Sequence, residues 1–225
     1  MKPSRRVEHE QQVTVTTGLV TLRGILGLPQ NPRGVVLFAH GSGSGRSSPR
    51  NTLVARTLQD GGLATLLLDL LEEQEAEDRR KVFDIDLLAD RLLAATDWLS
   101  QRPATQGLRL GYFGASTGAG AALQAAARLP EAVSAVVSRG GRPDLAGPYL
   151  PNVAAPTLLI VGGDDFPVIQ MNRDALALLA CPKELVIVPG ATHLFEEPGA
   201  LERVAELALR WFRRHLSPDS AGGAF

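Results

Sequence analysis

A serine between two glycines is the residue of this sequence best suited to nucleophilic chemistry. Ser116 lies in the stretch GASTG (114–118), which follows a short apolar run at 108–114 and precedes an alanine-rich helical pattern at 119–129. A strand, a sharp turn and a helix in this order form a nucleophile elbow, whose tight turn requires small residues on either side of the serine. Such a turn exposes the serine hydroxyl and directs the Thr117 N–H toward a developing oxyanion.

A serine hydroxyl is a weak nucleophile at neutral pH, so the elbow requires a general base. The chain has four histidines. His9 lies in a polar N-terminal segment, His215 lies in the last turn of a predicted helix, and His40 precedes a glycine-rich loop. His193 follows the last predicted strand, at the edge of the sheet where the serine also lies. His193 is therefore the predicted base, and His40 is expected to brace its loop.

The base needs an acid that orients the imidazole and stabilises its protonated form. The stretch VGGDDFPV offers Asp164 and Asp165 directly after an apolar run, and the pattern of residue types leaves both open. Either choice gives the chain order serine, aspartate, histidine, which is the order of the α/β-hydrolase fold.

Apolar runs alternate with helical patterns along the chain, which predicts a mostly parallel sheet covered by helices on both faces. An alternating pattern at 12–29 predicts a hairpin that adds an antiparallel edge. The expected strands are 34–40, 63–70, 108–114, 132–138, 155–163 and 183–190, and the expected helices are 52–62, 83–102, 119–129, 171–180 and 200–216. Ligands of such sheets bind at the carboxyl ends of the strands, where the candidate residues lie.

Composition limits the classes of function. The formal net charge of the 225 residues is −1, so we expect neither nucleic acid nor a membrane as a partner. The single cysteine, Cys181, fits a reducing compartment, and the N-terminus lacks the apolar segment of a secretory signal. We therefore predict a cytoplasmic monomer or homodimer with one domain at 12–216 and disordered segments at 1–11 and 217–225.

The chain resembles the dienelactone-hydrolase-like group of α/β-hydrolases over about residues 12–216. The stretches that carry this resemblance are HGSGSG (40–45), GASTG (114–118), GGDDFPV (162–168) and GATHLF (190–195). The chain also resembles the hydrolase modules that are found joined to phosphoribosyltransferase domains. Dienelactone hydrolases proper use a cysteine nucleophile, and the serine at this position favours a plain serine esterase.

The resemblance implies further roles for residues near the elbow. On the family pattern Asp165 is the acid and Asp164 is the variable position. Ser42 is expected to donate the second oxyanion hydrogen bond through its N–H, with Gly41 as the next choice and a candidate substrate contact. Arg139, just past a strand, could bind a substrate carboxylate, although the favoured interpretation pairs it and Arg142 with Asp144 or with one of the other acids.

A nucleotide-binding protein is the strongest competitor of the esterase. The loop GSGSGR after a strand, with Asp69 ending the next strand, imitates a dinucleotide site, but its glycine spacing does not match. Two further functions stay open, a lactone hydrolase that acts on an acidic substrate and an inactive binding module. No cofactor is expected, and the scattered histidines predict no metal site.

The connection between the predicted strands 132–138 and 155–163 is too short to hold a sizeable lid. Its length favours small, soluble esters or lactones as substrates. The charge-dense segment 71–81 is expected to be solvated, although its place after a strand would let it border the pocket. The sequence therefore predicts a serine esterase that acts on a small-molecule ester through Ser116, Asp165 and His193.

Overall fold

An eight-stranded sheet forms the centre of the molecule and confirms the predicted α/β-hydrolase architecture. The structure is a computed structural model that describes the backbone of residues 7–217 and the side chains of residues 10–217. Across the sheet the order is β1-β2-β4-β3-β5-β6-β7-β8; β2 pairs antiparallel with β1 and β4, and β3 to β8 pair in parallel. The strands are β1 (Val7–Thr17), β2 (Val20–Pro29), β3 (Val35–Ala39), β4 (Ala64–Leu68), β5 (Leu110–Ala115), β6 (Val133–Arg139), β7 (Thr157–Gly162) and β8 (Lys183–Val188).

Helices cover both faces of the sheet. Successive side chains of a strand point to opposite faces, so the buried residues divide into two clusters. Phe38 of β3 packs in the cluster that includes α1 and α7, whereas Leu37 packs in the cluster that includes α4 and α5. The helices are α1 (Pro49–Asp60), α2 (Glu73–Ala76), α3 (Arg79–Val82), α4 (Ile85–Ser100), α5 (Thr117–Arg128), α6 (Phe166–Leu178) and α7 (Ala200–Leu216).

The first strand begins earlier than the sequence predicted. Residues 7–11 belong to β1, so the predicted disordered segment 1–11 is wrong over this part, and residues 1–6 lie outside the described residues. Gln11 pairs with Leu26 of β2 although its side chain is exposed. Backbone pairing at the edge of an antiparallel sheet tolerates a polar sequence, because one face of the strand can remain in water. The predicted tail from 217 lies outside the described residues except for Ser217.

Two short helices occupy the acidic segment that follows β4. The Glu75 side chain joins them to the body of the protein, since its Oε2 accepts the Glu72 N–H at 3.1 Å. Its Oε1 accepts from Lys81 Nζ at 3.1 Å and from Arg91 Nη2 of α4 at 3.3 Å. The charges of this segment therefore pair within the segment, with Arg91 of α4 and with Arg23 of β2, and these contacts fix α2 and α3 beside the carboxyl end of β4.

The connection between β6 and β7 contains one 3-10 helix, Pro143–Asn152, whose Leu150 and Ala146 are buried against the core. This packed segment leaves no sizeable lid over the sheet, as predicted. In residues 7–217, every helix is too short or too polar to cross a bilayer.

Candidate active site

Ser116 occupies a strained turn between β5 and α5. Its backbone has φ 51° and ψ −123°, a conformation that residues other than glycine rarely adopt. A Cβ at Gly114 would lie 2.5 Å from Ala119 Cα, and one at Gly118 would lie 2.2 Å from Ala39 O. Both glycines are therefore needed for the close approach of α5 to β5 and β3, as the elbow interpretation requires.

The loop that follows β3 lies directly against this elbow. A Cβ at Gly41 would come within 2.8 Å of Ser116 Cβ, so only glycine permits the contact. Gly41, Ser42, Gly43 and Thr117 share the lining of a cavity of about 170 Å³. The two predicted oxyanion residues thus border the same space, next to the Ser116 side chain.

His40 holds this loop in place through both of its ring nitrogens. Nδ1 lies 3.0 Å from Gly41 O, and Nε2 accepts the Leu70 N–H at 2.9 Å. An acceptor at Nε2 and a donor at Nδ1 define the neutral tautomer. Burial lowers the pKa of His40, which agrees with a neutral ring. The contacts match the bracing role expected of this histidine.

Asp69, at the end of β4, also anchors the loop. Its Oδ1 accepts the Arg46 N–H at 2.6 Å, and its Oδ2 pairs with the Arg46 guanidinium. A Cβ at Gly45 would lie 2.7 Å from the same Oδ1. Both carboxylate oxygens are therefore engaged within the protein, and the acceptor that a dinucleotide site needs for a ribose is already used.

His193 and Asp165 form a short hydrogen bond. Their Nδ1 and Oδ2 atoms are 2.6 Å apart, and the Asp165 side chain is only 12% exposed. In the described part of the chain His193 Nε2 has no hydrogen-bond partner, so this nitrogen is available for proton transfer. Asp164 is exposed and makes its contact through its backbone N–H, which donates to Ala191 O at 3.0 Å.

Gly140 lies between the histidine loop and the elbow. The Ser116 N–H donates to Arg139 O at 3.3 Å, which places the end of β6 beside the elbow. A Cβ at Gly140 would lie 3.6 Å from His193 Cε1 and 3.0 Å from His193 O. Ser116, Asp165 and His193 thus follow the carboxyl ends of β5, β7 and β8, and a hydrogen bond joins Asp165 to His193.

The predicted pairing of the two arginines with Asp144 or another acid is confirmed for Arg142 and is wrong for Arg139, which pairs with no carboxylate in residues 10–217. Arg142 donates to Asp144 through Nε at 2.9 Å and Nη2 at 2.7 Å. Arg139 points to the opposite face of the sheet from α5, because it is in register with Ala115 and follows the alternation of Val137. The face of the sheet that each side chain takes therefore separates the two arginines.

Four apolar residues that sequence reasoning did not assign complete the cavity beside Thr117 and Ser42. They come from the segment after β4 and from α4: Leu71, Ala76, Val82 and Leu88. The acidic segment therefore borders the pocket, with its apolar side chains facing inward. The signal in the sequence was the presence of Leu71 and Val82 at the two ends of an otherwise charged run.

Polar residues extend this pocket outward. A second cavity of about 470 Å³ shares His40, Ser44, Leu71 and Ala76 with the first and continues toward β2. Within residues 10–217 no three His, Cys, Asp or Glu side chains are grouped so that they could hold a metal ion.

Comparisons with known proteins identify relatives of this chain. A Mycobacterium tuberculosis H37Rv protein named "Putative phosphoribosyl transferase Rv0571c" is 56% identical over 215 residues, which are 96% of this chain and 48% of that protein. The chain thus spans about half the length of the curated relatives that it matches.

Solved structures extend the comparison. The crystal structure of a dienelactone hydrolase from Anabaena variabilis is 61% identical, with a TM-score of 0.91 over 94% of this chain and 100% of that chain. Est1E from Butyrivibrio proteoclasticus, 16% identical, shares the fold with a TM-score of 0.75 over 90% of this chain and 99% of that one. The model of the dienelactone hydrolase family matches residues 22–217. The chain therefore belongs to the dienelactone hydrolase family.

Proposed function

We propose that this protein is a serine hydrolase that cleaves carboxylic esters through an acyl-serine intermediate. Membership of the dienelactone hydrolase family supports hydrolase activity. The observation that carries the proposal is the 2.6 Å contact between His193 Nδ1 and Asp165 Oδ2. The loop that holds His193 packs against Gly140, just past the end of β6. Strained backbone persists where the surrounding structure enforces it, and the Ser116 turn is such a case.

The first step joins Ser116 Oγ to the carbonyl carbon of the ester. His193 Nε2 takes the hydroxyl proton, and Asp165 fixes the ring so that Nδ1–H points to the carboxylate. The carbonyl oxygen becomes an oxyanion, and the N–H groups of Thr117 and Ser42 stabilise it. Each such donor contributes on the order of 3 kcal/mol to the stability of the transition state.

The second half of the reaction releases the alcohol and then the acid. The bond between the carbonyl carbon and the alcohol oxygen breaks as His193 returns its proton to that oxygen. A water molecule that His193 deprotonates then attacks the acyl-serine. The bond between the carbonyl carbon and Ser116 Oγ breaks as His193 returns that proton to Oγ, and the acid leaves and ionises in solvent. No residue outside the loops already described is required for this cycle.

The cavity beside the oxyanion donors suits a short apolar acyl group. The cavity has a volume of about 170 Å³. On the side away from the glycine loop it is lined by Leu71, Ala76, Val82 and Leu88. Burial of apolar surface there contributes about 25 cal/mol per Å² to binding. We therefore expect acyl chains of a few carbons to be preferred over long chains.

Hydrolysis of p-nitrophenyl esters with acyl chains from two to twelve carbons tests the proposal. We expect turnover by the wild type with an optimum at short chains, and a loss of kcat on the order of 10⁶ in Ser116→Ala. Alanine tolerates positive φ no better than serine does, so the substitution removes the hydroxyl without relieving the strain of the turn. Equal activity in Ser116→Ala would overturn the proposal, and a folded wild type that neither turns over esters nor reacts with a fluorophosphonate would indicate an inactive binding module.

A further inference from the structure

A polar cavity continues the apolar pocket beside the oxyanion donors. The apolar pocket has a volume of about 170 Å³, and the polar cavity, of about 470 Å³, lies outside it, toward β2. Leu71 and Ala76 line both spaces, as do His40 and Ser44, so the two are continuous. The proposed function uses only the apolar pocket, and the chemistry of the polar lining decides what a longer acyl group can carry there.

Two ion pairs hold most of the charge of the polar cavity. Asp69 pairs with the Arg46 guanidinium, and Arg23 Nη1 of β2 lies 3.6 Å from Glu73 Oε1. A ligand of either sign that approaches such a pair meets one attractive and one repulsive charge. The ion pairs therefore favour neither an anion nor a cation.

The remaining carboxylate of the lining, that of Glu72, is compensated by backbone groups. Its Oε1 accepts the Thr21 N–H at 2.9 Å, and the side chain also accepts the backbone N–H of Glu75. Burial lowers the pKa of His40 and both of its ring nitrogens are engaged, so the ring on the boundary between the two cavities adds no charge. The residues that line the polar cavity therefore leave no charged side chain without compensation.

Three neutral polar side chains complete the lining. They are the hydroxyls of Thr21 and Ser44 and the amide of Gln74, which come from β2, from the loop after β3 and from α2. Within residues 10–217 these three side chains form no hydrogen bond to other protein groups. Hydroxyl and amide groups both donate and accept, so they match a neutral ligand that has donors and acceptors of its own.

The apolar pocket sets the length of the acyl group that reaches this lining. At about 30 Å³ for a group of the size of a water molecule, its volume of about 170 Å³ holds about five or six such groups. An ester carbonyl at Ser116 followed by about four methylene groups fills this space. The next group along the chain then passes Leu71 and Ala76 and enters the polar cavity.

We propose that the polar cavity binds a neutral hydrogen-bonding group, an amide or a hydroxyl, at the far end of the acyl part of the ester substrate. The apolar pocket holds the methylene groups between that end and the ester carbonyl. The far group takes no part in the reaction, and the acid leaves with it unchanged. This inference rests on the proposed function and adds the class of acid to it.

Four p-nitrophenyl esters with the same alcohol test the inference in the wild type. Acetate is the reference, because its acyl group ends inside the apolar pocket. The other three acyl groups have four methylene groups and then a carboxamide (adipamate), an isopropyl group of the same shape (6-methylheptanoate) or a carboxylate (adipate). We expect kcat/KM of the adipamate ester to exceed that of the other two by about two- to tenfold, mainly through KM, as one net hydrogen bond implies. Faster hydrolysis of the 6-methylheptanoate or adipate ester would overturn the inference.

Two substitutions remove hydrogen-bonding groups of the lining and nearly keep the shape of the side chain. Thr21→Val and Gln74→Leu should each lower the ratio of kcat/KM for adipamate over 6-methylheptanoate by about two- to tenfold. A fall in only one variant would identify the residue that binds the group. The control Gln106→Leu replaces an exposed glutamine in the loop before β5, at the opposite end of the strands, and should keep the wild-type ratio.

The acetate ester separates binding in the polar cavity from a structural effect. Equal losses on all four esters, or an unchanged ratio in both variants, would overturn the inference. If the wild type hydrolysed no ester, the matching anilide N-(4-nitrophenyl)hexanediamide would serve as the probe in isothermal titration calorimetry. Weaker binding to Thr21→Val or Gln74→Leu than to the wild type would then support the polar site while the proposed function failed, and equal binding would overturn both.

Discussion

Two loops of this molecule carry a histidine at the carboxyl end of a parallel strand, and they use it in opposite ways. His40 engages both ring nitrogens, one with Gly41 O and one with the Leu70 N–H. His193 engages only Nδ1, with the Asp165 carboxylate, and its side chain is 39% exposed. Both histidines therefore lie at the carboxyl end of a strand, but only His193 has an available ring nitrogen and an acidic partner.

The difference also appears in the electrostatics of the two rings. His40 faces a backbone N–H at Nε2, so a proton on that nitrogen would meet another donor. His193 instead faces a carboxylate at Nδ1, and this contact with Asp165 fixes the orientation of the ring. One loop is thus built to keep an imidazole neutral, and the other to orient an imidazole against a carboxylate.

Replacing each histidine by alanine gives the largest contrast. His193→Ala should lower kcat for short p-nitrophenyl esters on the order of 10⁶ without changing Tm, because Nε2 is the proposed base. His40→Ala should lower the unfolding free energy by about 1–3 kcal/mol, because it leaves the buried Leu70 N–H unpaired. Its kcat should fall by no more than about 10³, the loss typical of one displaced oxyanion donor. Steady-state kinetics and urea unfolding of both variants measure these effects, and a larger loss of kcat in His40→Ala would reverse the assignment.

Two adjacent aspartates after β7 test which carboxylate orients His193. Asp165→Asn should lower kcat by about 10⁴, because an amide at this position no longer fixes the catalytic tautomer of His193. Asp164→Asn should change kcat less than about twofold, since its side chain is exposed and only its backbone contacts the loop at Ala191. Kinetics with p-nitrophenyl acetate compare the pair, and similar losses in both variants would show that the acid is shared.

The elbow and the sheet were open to prediction because local sequence determines them. Buried strands appear as apolar runs, and the tight turn at Ser116 permits only small residues at Gly114 and Gly118. The closing helix was predicted at 200–216 and lies at Ala200–Leu216, because its apolar stripe repeats with a helical period.

Features that depend on contacts distant in sequence were predicted less well. Helix α6 begins at Phe166 rather than at 171, and the carboxylate of its N-cap residue Asp165 bonds the distant His193 instead of capping the helix. Arg139 does not pair with Asp144, because its side chain takes the face of the sheet that α1 and α7 cover. The two short helices after β4 depend on Glu75 meeting Lys81 and Arg91, the latter 16 residues away.

The smallest expected effect is a pH dependence of stability that comes from His40. Burial lowers its pKa from the ordinary value of 6.5, so at slightly acidic pH the unfolded chain takes up a proton that the folded protein does not. The unfolding free energy should therefore decrease as the pH falls below about 6.5, with a slope of at most about 1.4 kcal/mol per pH unit.

His40→Gln should flatten that slope, since glutamine does not titrate. Burial and Arg214 also lower the pKa of His215, which contributes in the same direction, so His215→Gln serves as the matched variant and should remove a separate part of the slope. Urea unfolding of the wild type and both variants between pH 7.5 and 5.5 measures the two parts. A wild-type slope that survives unchanged in His40→Gln would mean that the folded protein accepts a proton at His40. The ring would then have to turn away from the Leu70 N–H. His40 would no longer be held neutral, and the proposed contrast between His40 and the base His193 would be wrong.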